Sequence, residues 1–362
     1  MLICFIGTRG VPATYSGFET CVEQLGWRMA ARGHRVIVHC RATHYRDPVA
    51  MHRGMELTYL PAIRGKHLET LSHTALSAFK LPADGAIVCM GVGNAPIVRA
   101  LEMRGRRTVF NVDGADWLRD KWGRFATSYL RWCERLASSS SSILVADAAS
   151  VQHYYRDQYS RASELVAYGA DPPADCGTTT LQALGVLPDK YALFVGRLVP
   201  DNAAHDFLDG IRLANWDGPV MIVGHAPYSQ DYIRHLHEMA PPNAIFTGYQ
   251  FGSAYQQLTH HARVFVLAAA VGGTHPVLVE QMAAGNCILA RDTESNREVL
   301  GGTGLLWRTP ADLARLLTLT NAEPGLRRRL GDQASKRARQ HYDWEAVTTK
   351  YLDLCERTLV GR

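Results

Sequence analysis

Residues 272–285 have the sequence GGTHPVLVEQMAAG and lie between the apolar runs VFVLA and CILA. This arrangement predicts a strand, a glycine-rich turn, a helix and a second strand. Thr274 or His275 can serve as the N-cap, and Pro276 suits the first helical position because its missing N–H costs nothing there. The free N–H groups at the start of this helix would suit a phosphate or sugar hydroxyls.

Glu280 falls about one turn into the predicted helix, within an otherwise apolar sequence. The paired glycines Gly272 and Gly273 let the backbone approach a ligand closely. A carboxylate at position 280 can accept hydrogen bonds from a vicinal diol such as a ribose. A half-buried Glu280 paired with a neighbouring arginine explains the same pattern without a ligand, and the stretch alone leaves both interpretations open.

The composition is that of a globular protein large enough for two domains. The chain has 362 residues, of which 47% are hydrophobic and 20% charged, and this excludes general disorder. The apolar start, Met1–Ile6, reaches Gly7 without a basic leader, so it predicts a first strand and not a signal peptide. No apolar run approaches the ~20 residues that a membrane span needs, so we expect a soluble or peripheral protein.

The eight cysteines are scattered along the chain and none forms a C-x-x-C pair. Their placement in or beside predicted strands indicates buried thiols in a reducing cytoplasm, and not a disulfide framework or a zinc site. The sequence also has no D-x-D pair and no histidine cluster with metal-ligand spacing. We therefore expect no protein-bound metal.

The net charge of +5 is unevenly distributed. Residues 1–170 contain 21 Lys and Arg against 14 Asp and Glu, a balance of +7, and the remainder therefore carries −2. A basic first half suggests an anionic partner, either a phosphate-bearing acceptor or a membrane surface. An arginine excess without functional consequence remains the alternative. Nothing in the pattern indicates a nucleic-acid partner.

Strand-like runs alternate with helical patterns, and the alternation restarts halfway along the chain. Such a pattern predicts an α/β protein with two Rossmann-like, doubly wound parallel-sheet domains facing across a cleft. The join falls in 171–189, where DPPADCGTTT is typical of a loop. The predicted domains are 1–171 for the acceptor and 172–342 for the donor. A C-terminal helix at 343–362 is expected to pack back toward the first domain.

Ligands of open α/β sheets bind beyond the carboxyl ends of the strands, so the loops there carry most weight. IGTRGVPATYSGFET, residues 6–20, predicts a strand, a glycine-punctuated turn and a helix beginning near Gly17. Its spacing is not that of the dinucleotide fingerprint. The loop from Gly7 onward can still present N–H groups and Arg9 to an anion, although a structural loop with an exposed Arg9 is equally compatible.

Two further loops follow predicted strands. VGRLVPDN, residues 195–202, places Gly196 and then Arg197 at a strand end, where a guanidinium can hold two phosphate oxygens. NVDGADW, residues 111–117, places Asp113 at another. Asp113 could orient sugar hydroxyls or act as a base, or it could be an ordinary turn residue.

Together these loops resemble the family-4 retaining glycosyltransferases, which have a GT-B fold. More narrowly, they resemble the bacterial rhamnosyltransferase-like branch, with its IGTRG…GFET block. NVDGADW, VGRLVPDN, GGTHPVLVEQMAAGN and NREVLG follow in the expected order, so the resemblance spans nearly the whole chain.

The resemblance implies sugar transfer from a nucleoside diphosphate donor with retention of anomeric configuration. Glu280 would hold the ribose, the Gly273-Thr274 turn would contact sugar and diphosphate, and Arg197 would neutralise the diphosphate. No protein nucleophile, metal or further cofactor is then required. The catalytic residues expected on this basis are Asp113, Arg197 and Glu280, and the donor-binding residues are Gly7, Arg9, Gly17, Gly196, Arg197, Asn202, Gly273, Thr274, His275 and Glu280.

Three positions depart from the broader family. Gly272 stands where a glutamate usually contacts the donor sugar, Asn202 replaces a diphosphate-binding lysine, and Asp113 replaces a strand-end histidine. The rhamnosyltransferase-like branch shares these departures. They therefore favour the narrower assignment and suggest a different sugar or sugar orientation.

The expected protein is a cytoplasmic hexosyltransferase that could contact the inner membrane face. Its expected donor is dTDP-L-rhamnose or another dTDP- or UDP-hexose. The acceptor would be a growing surface polysaccharide or a lipid-linked saccharide, with a small natural product as the alternative. A sugar-nucleotide epimerase and a non-catalytic nucleotide-sugar binder are the other classes considered. The sequence leaves the oligomeric state open.

Overall fold

A computed structural model describes residues 1–13, 17–63, 65, 68–112 and 124–360. The chain divides into two compact units, Met1–Tyr168 with Trp344–Arg362, and Gly169–Asp343. The first boundary therefore lies at 168/169, where the sequence predicted 171/172. Each unit is a largely parallel sheet with helices, which confirms the predicted α/β class.

The first unit contains an eight-stranded sheet with the order β3-β4-β2-β1-β5-β6-β7-β8. All neighbours are parallel except β3 and β4, which form an antiparallel pair. The sequence did not predict β3, which is two residues long and carries no alternation to detect. The strands are β1 Leu2–Ile6, β2 Arg35–Arg41, β3 Met51–His52, β4 Met55–Leu60, β5 Ala86–Met90, β6 Val109–Asn111, β7 Ile143–Ala146 and β8 Glu164–Leu165.

Among the described residues, six helices belong to this unit, five from the first chain segment and one from the last. They are α1 Gly17–Ala31, α2 Leu68–Phe79, α3 Ala95–Glu102, α4 Arg124–Ser138, α5 Ala149–Tyr159 and α14 Trp344–Leu359. The predicted α1 is confirmed: Val22, Leu25 and Met29 on one stripe are fully buried. Gly33, with φ +82°, follows its last turn, where a glycine ends a helix at little steric cost.

The second unit contains a six-stranded sheet with the order β11-β10-β9-β12-β13-β14. All neighbouring pairs are parallel. The strands are β9 Ala192–Val195, β10 Val220–Val223, β11 Ala244–Gly248, β12 Val264–Leu267, β13 Ile288–Arg291 and β14 Leu305–Trp307. The helices are α6 Thr179–Ala183, α7 Ala204–Leu213, α8 Gln230–Met239, α9 Gly252–His260, α10 Pro276–Ala283, α11 Glu294–Leu300, α12 Pro310–Ala322 and α13 Pro324–His341.

Each sheet has a point where the strand order reverses direction along the chain. In the second unit it lies between β9 and β12, and in the first between β1 and β5. Ligands of doubly wound sheets bind outside the carboxyl ends of the strands at such switch points. The loops after β9 and β12, and separately those after β1 and β5, are therefore the places where each unit is expected to bind a ligand.

Two expectations from the sequence concern the state of the cysteines and membrane-spanning helices. All eight cysteines are free thiols, and only Cys176 is exposed. Among the helices within the described ranges, none is both long and apolar enough to cross a membrane.

Candidate active site

The switch point of the second unit brings together two loops that the sequence singled out. β9 and β12 are hydrogen-bonded neighbours, with Val264 paired to Ala192 and Phe265 to Leu193. Because the strands run parallel, the Gly196–Asn202 loop and the Gly272–His275 turn leave the sheet at the same edge. The structure therefore places Arg197 and the start of α10 at one end of this unit.

The predicted helix after the glycine-rich turn is confirmed as α10. His275 is its N-cap residue and Pro276 its first helical residue. The His275 side chain makes no capping hydrogen bond to the first turn. An anion or a hydroxyl oxygen can accept hydrogen bonds in that position.

Glu280 lies one turn into α10, and its partner is a tyrosine. The Tyr255 hydroxyl of α9 donates to Glu280 Oε2 at 2.5 Å. The pairing with an arginine that the sequence allowed is wrong for the part of the chain described, where Glu280 forms no ion pair. Burial raises the pKa of Glu280 to about 7, and the Tyr255 hydrogen bond opposes that rise. A carboxylate so poorly solvated gains from any further hydrogen-bond donor.

The loop after β9 is held by its own backbone and by Asn202. Gly196 N donates to Val223 O at 3.0 Å, and Asn202 Nδ2 donates to Arg197 O at 2.8 Å. Asn202 thus fixes the backbone of the residue predicted to bind diphosphate. Arg197 is half-buried at the edge of the sheet.

Position 272 can hold only a small residue in this conformation. Gly272 has φ +141°, and a Cβ added there would lie 2.9 Å from Cε1 of the His275 ring. The Ser295 hydroxyl donates to Gly272 O at 3.1 Å and fixes the turn from the α11 side. The imidazole of His275 therefore occupies the space into which a side chain at 272 would project.

In the first unit, the predicted glycine loop follows β1 and is anchored to α1. Arg9 N donates to Glu19 Oε1 at 2.9 Å, and Ala13 N donates to Glu23 Oε2 at 2.8 Å. Gly7 has φ +95°, and a Cβ there would lie 2.5 Å from Met90 O of β5. Packing within the sheet thus accounts for the glycine at 7 without a ligand. Gly17 is the first residue of α1.

A cationic cluster extends from this loop to the end of β2 and the start of α2. Arg41 Nη2 donates to Thr70 Oγ1 at 3.0 Å, and Arg41 Nη1 lies 3.5 Å from Glu69 Oε2. His44 Nε2 lies 2.7 Å from Glu69 Oε1. Although burial opposes the change, His44, Arg41 and Arg9 hold the pKa of Glu69 below its usual value. We call Arg9, Arg41, His44 and Glu69 the β2-edge cluster.

Two further predictions concern Asp113 and the binding of a metal ion. Asp113 lies outside the described residues, so its predicted role stays a prediction. Within the described ranges, no three His, Cys, Asp or Glu side chains form a group that could hold a metal ion.

Sequence reasoning missed Tyr255 and Glu19. Tyr255 lies 25 positions from Glu280 on a different helix, and nothing in its local pattern signals the contact. Glu19 did carry a signal, since it is an acid in the first turn of α1 that directly follows the glycine loop. An acid there could have been predicted to accept hydrogen bonds from the loop's N–H groups.

Comparisons with known protein families cover much of the chain. Residues 189–319 match a family described as "Glycosyl transferases group 1". Residues 88–171 match one described as "Domain of unknown function (DUF1972)". A search of curated proteins gave no match.

Solved structures resemble the whole chain. Sucrose-phosphate synthase from Thermosynechococcus elongatus is 19% identical, with a TM-score of 0.84 and 100% of both chains covered. Anabaena HepE, solved in complex with UDP-glucose, is 19% identical with a TM-score of 0.78 and the same coverage. WaaG, a glycosyltransferase involved in lipopolysaccharide biosynthesis, is 14% identical with a TM-score of 0.76, covering 98% of this chain and 99% of that one. At these identities the likeness establishes the fold.

These findings confirm the coarser part of the prediction. The chain has the GT-B fold, and its second unit contains a group 1 glycosyl transferase domain. The match over residues 189–319 supports a glycosyltransferase of the group 1 type.

Proposed function

We propose that this chain is a retaining hexosyltransferase that uses a nucleoside diphosphate sugar, with L-rhamnose as the expected sugar. The observation that carries the proposal is Glu280, a poorly solvated carboxylate on α10 at the switch point of the group 1 domain. A vicinal diol supplies two hydroxyl donors to such a group. The UDP-glucose complex of Anabaena HepE supports a nucleotide sugar as the donor class.

The leaving diphosphate would be stabilised by protein groups. Arg197 stands at the end of β9, and the start of α10 follows β12, the neighbour of β9 in the sheet. A guanidinium and a helix N-terminus both favour developing negative charge. In this scheme the departing diphosphate takes the proton of the acceptor hydroxyl on the same face, which gives retention without a protein nucleophile. We expect activity to persist in the presence of a metal chelator.

The acceptor would be a saccharide or lipid-linked saccharide in surface-polysaccharide synthesis. The β2-edge cluster supports an anionic acceptor, because it contains two guanidinium groups, those of Arg9 and Arg41, against the single carboxylate of Glu69. The excess of +7 in residues 1–170 is in keeping with a cytoplasmic enzyme that contacts anionic lipid. Binding to anionic vesicles that weakens as salt increases would support this contact, and salt-insensitive or absent binding would contradict it.

The first experiment measures donor binding and turnover together. Thermal stabilisation by dTDP-, UDP-, GDP- and ADP-sugars identifies the donor, because only a ligand of the folded state raises the melting temperature. Glu280→Ala should then weaken nucleotide affinity at least tenfold, since each hydrogen bond to a charged group contributes about 1.5–3 kcal/mol. Glu238→Ala, an exposed acid on α8 of the same unit, is the matched control.

The same assay separates the other classes. Donor consumption without any acceptor, giving an epimeric sugar nucleotide, would identify an epimerase. Tight binding without transfer or hydrolysis would identify a nucleotide-sugar binder. Equal nucleotide affinity in wild type and Glu280→Ala would refute the role assigned to Glu280.

A further inference from the structure

A network of buried polar side chains lies behind Glu280 in the second unit. Gln281 Nε2 donates to Thr259 Oγ1 at 3.2 Å, and Asn286 Nδ2 donates to Gln281 Oε1 at 2.6 Å. Thr259, Gln281 and Asn286 are at most 4% exposed. Thr259 lies on α9 with Tyr255, and Gln281 follows Glu280 on α10. Since buried polar groups require partners, this network ties α9 to α10 beside the bond from the Tyr255 hydroxyl to Glu280.

The Glu280 carboxylate determines which way the Tyr255 hydroxyl points. A phenol has one O–H to donate, and a carboxylate oxygen can only accept. Burial and the Glu280 carboxylate raise the pKa of Tyr255, so the phenol keeps its proton. The single proton of the hydroxyl is therefore directed to Glu280 Oε2.

The other carboxylate oxygen is in a different position. Among the described residues, no hydrogen bond to Glu280 Oε1 accompanies the Tyr255 bond to Oε2. Resting on the proposed function, we propose that Tyr255 is a positioning residue for donor binding: it holds Oε2 so that Oε1 faces the vicinal diol of the donor. Tyr255 acts through Glu280 and need not touch the donor itself.

This role has an electrostatic consequence that packing alone would not produce. Burial raises the pKa of Glu280 to about 7, and the Tyr255 hydrogen bond stabilises the charged form against that effect. Removal of the hydroxyl raises the Glu280 pKa further. Because the diol needs a carboxylate acceptor, donor affinity should rise with pH through the Glu280 pKa, and the midpoint should move upward without the hydroxyl.

A measurement on the free protein tests the positioning role independently of any ligand. Infrared difference titration of wild type against Glu280→Gln isolates the Glu280 carboxyl band and gives its midpoint. Tyr255→Phe should move that midpoint upward by about one pH unit. Tyr191→Phe is the matched control, because the Tyr191 hydroxyl is also buried and donates to Leu258 O of α9 at 2.6 Å, without contacting Glu280.

Calorimetric binding of UDP and dTDP at several pH values then links the titration to the ligand. The better binder of the two should lose about fivefold in affinity at pH 7 in Tyr255→Phe if the midpoint rises from about 7 by one unit, because the ionised fraction falls from about one half to about one eleventh. Tyr191→Phe should retain the wild-type pH profile even where its melting temperature falls.

The outcomes separate the two proposals. An unchanged Glu280 midpoint in Tyr255→Phe overturns the positioning role, whatever happens to stability. A raised midpoint with nucleotide affinity that is independent of both Glu280 and pH retains the electrostatic coupling but overturns its use in donor binding, and with it the ribose contact of the proposed function.

Discussion

At the scale of single residues, His275 explains why position 272 is a glycine. Its φ of +141° lies in a region that favours glycine, and the His275 ring fills the space beside it. A side chain at 272 would have to displace His275, the N-cap residue of α10. Packing within the turn therefore accounts for Gly272, which stands where the broader family usually has a glutamate.

We predict that Gly272→Ala lowers stability by about 1–3 kcal/mol, through backbone strain and displacement of His275. Nucleotide affinity should fall with it, because His275 leads into α10. Gly185→Ala is the control, since Gly185 has φ +67° but nothing within 4 Å of an added Cβ. Urea unfolding and calorimetry measure both effects, and equal results for the two variants would show that the His275 contact is unimportant.

Arg197 offers a second test at this scale. We expect Arg197→Ala to lower kcat by about 10²–10³, the usual loss when a group that stabilises developing charge is removed. Arg197→Lys should recover only part, because an ammonium lacks the planar fork of the guanidinium. Arg212→Ala, on exposed α7 surface, is the control. A collapse of the melting temperature in Arg197→Ala would instead assign Arg197 a structural role.

At the scale of elements, the sequence could predict those helices and strands whose hydrophobic pattern is clear. Buried strands such as β1 are continuous apolar runs and amphipathic helices such as α1 have a clear period, and both were predicted correctly. The short α6 and α11 were missed because five and seven residues carry too little periodicity. α12 was also missed although Thr309 and Asp312 form a capping box, with Pro310 at the first helical position, that could have been recognised.

The packing of α2 on β2 predicts an acid-sensitive region. His39 of β2 and His73 of α2 are at most 1% exposed, and burial lowers the pKa of each from 6.5 to about 4. The unfolded chain therefore binds two more protons than the folded chain between these values. This contribution to stability is complete above about pH 6.5 and is lost as the pH falls toward 4.

We expect each histidine to cost about 2 kcal/mol of unfolding free energy between pH 7.5 and pH 5. His39→Leu combined with His73→Leu should flatten the pH dependence measured by urea unfolding. His153→Gln, an exposed histidine on α5, should leave the dependence unchanged. A double variant that loses stability in acid as steeply as the wild type would show that other groups cause the effect.

At the scale of the whole molecule, chain order and spatial order differ. The first unit contains two chain segments, because α14 packs against α1, β5 and β6 after the entire second unit has intervened. The repeated strand–helix alternation was enough to predict two α/β units. Contacts such as the 2.9 Å bond from Asn111 Nδ2 to Tyr351 Oη join residues 240 positions apart, and no local pattern specifies them.

The last helix should therefore be part of the first unit's core. Tyr351 is 1% exposed, and Arg28 and Arg32 of the first segment pair with Glu345 on α14 at 3.0 Å and 2.6 Å.

We predict that Tyr351→Ala costs about 3–5 kcal/mol of unfolding free energy, as removal of a buried aromatic side chain does. Tyr351→Phe should cost about 1 kcal/mol, because it removes the buried hydrogen bond from the Asn111 amide. Glu345→Ala should cost less than either, since its pairs are partly exposed. Hydrogen exchange read peptide by peptide should show lost protection in α1, β5 and β6 for Tyr351→Ala. Unchanged exchange in those three elements would show that α14 is not an integral part of the first unit.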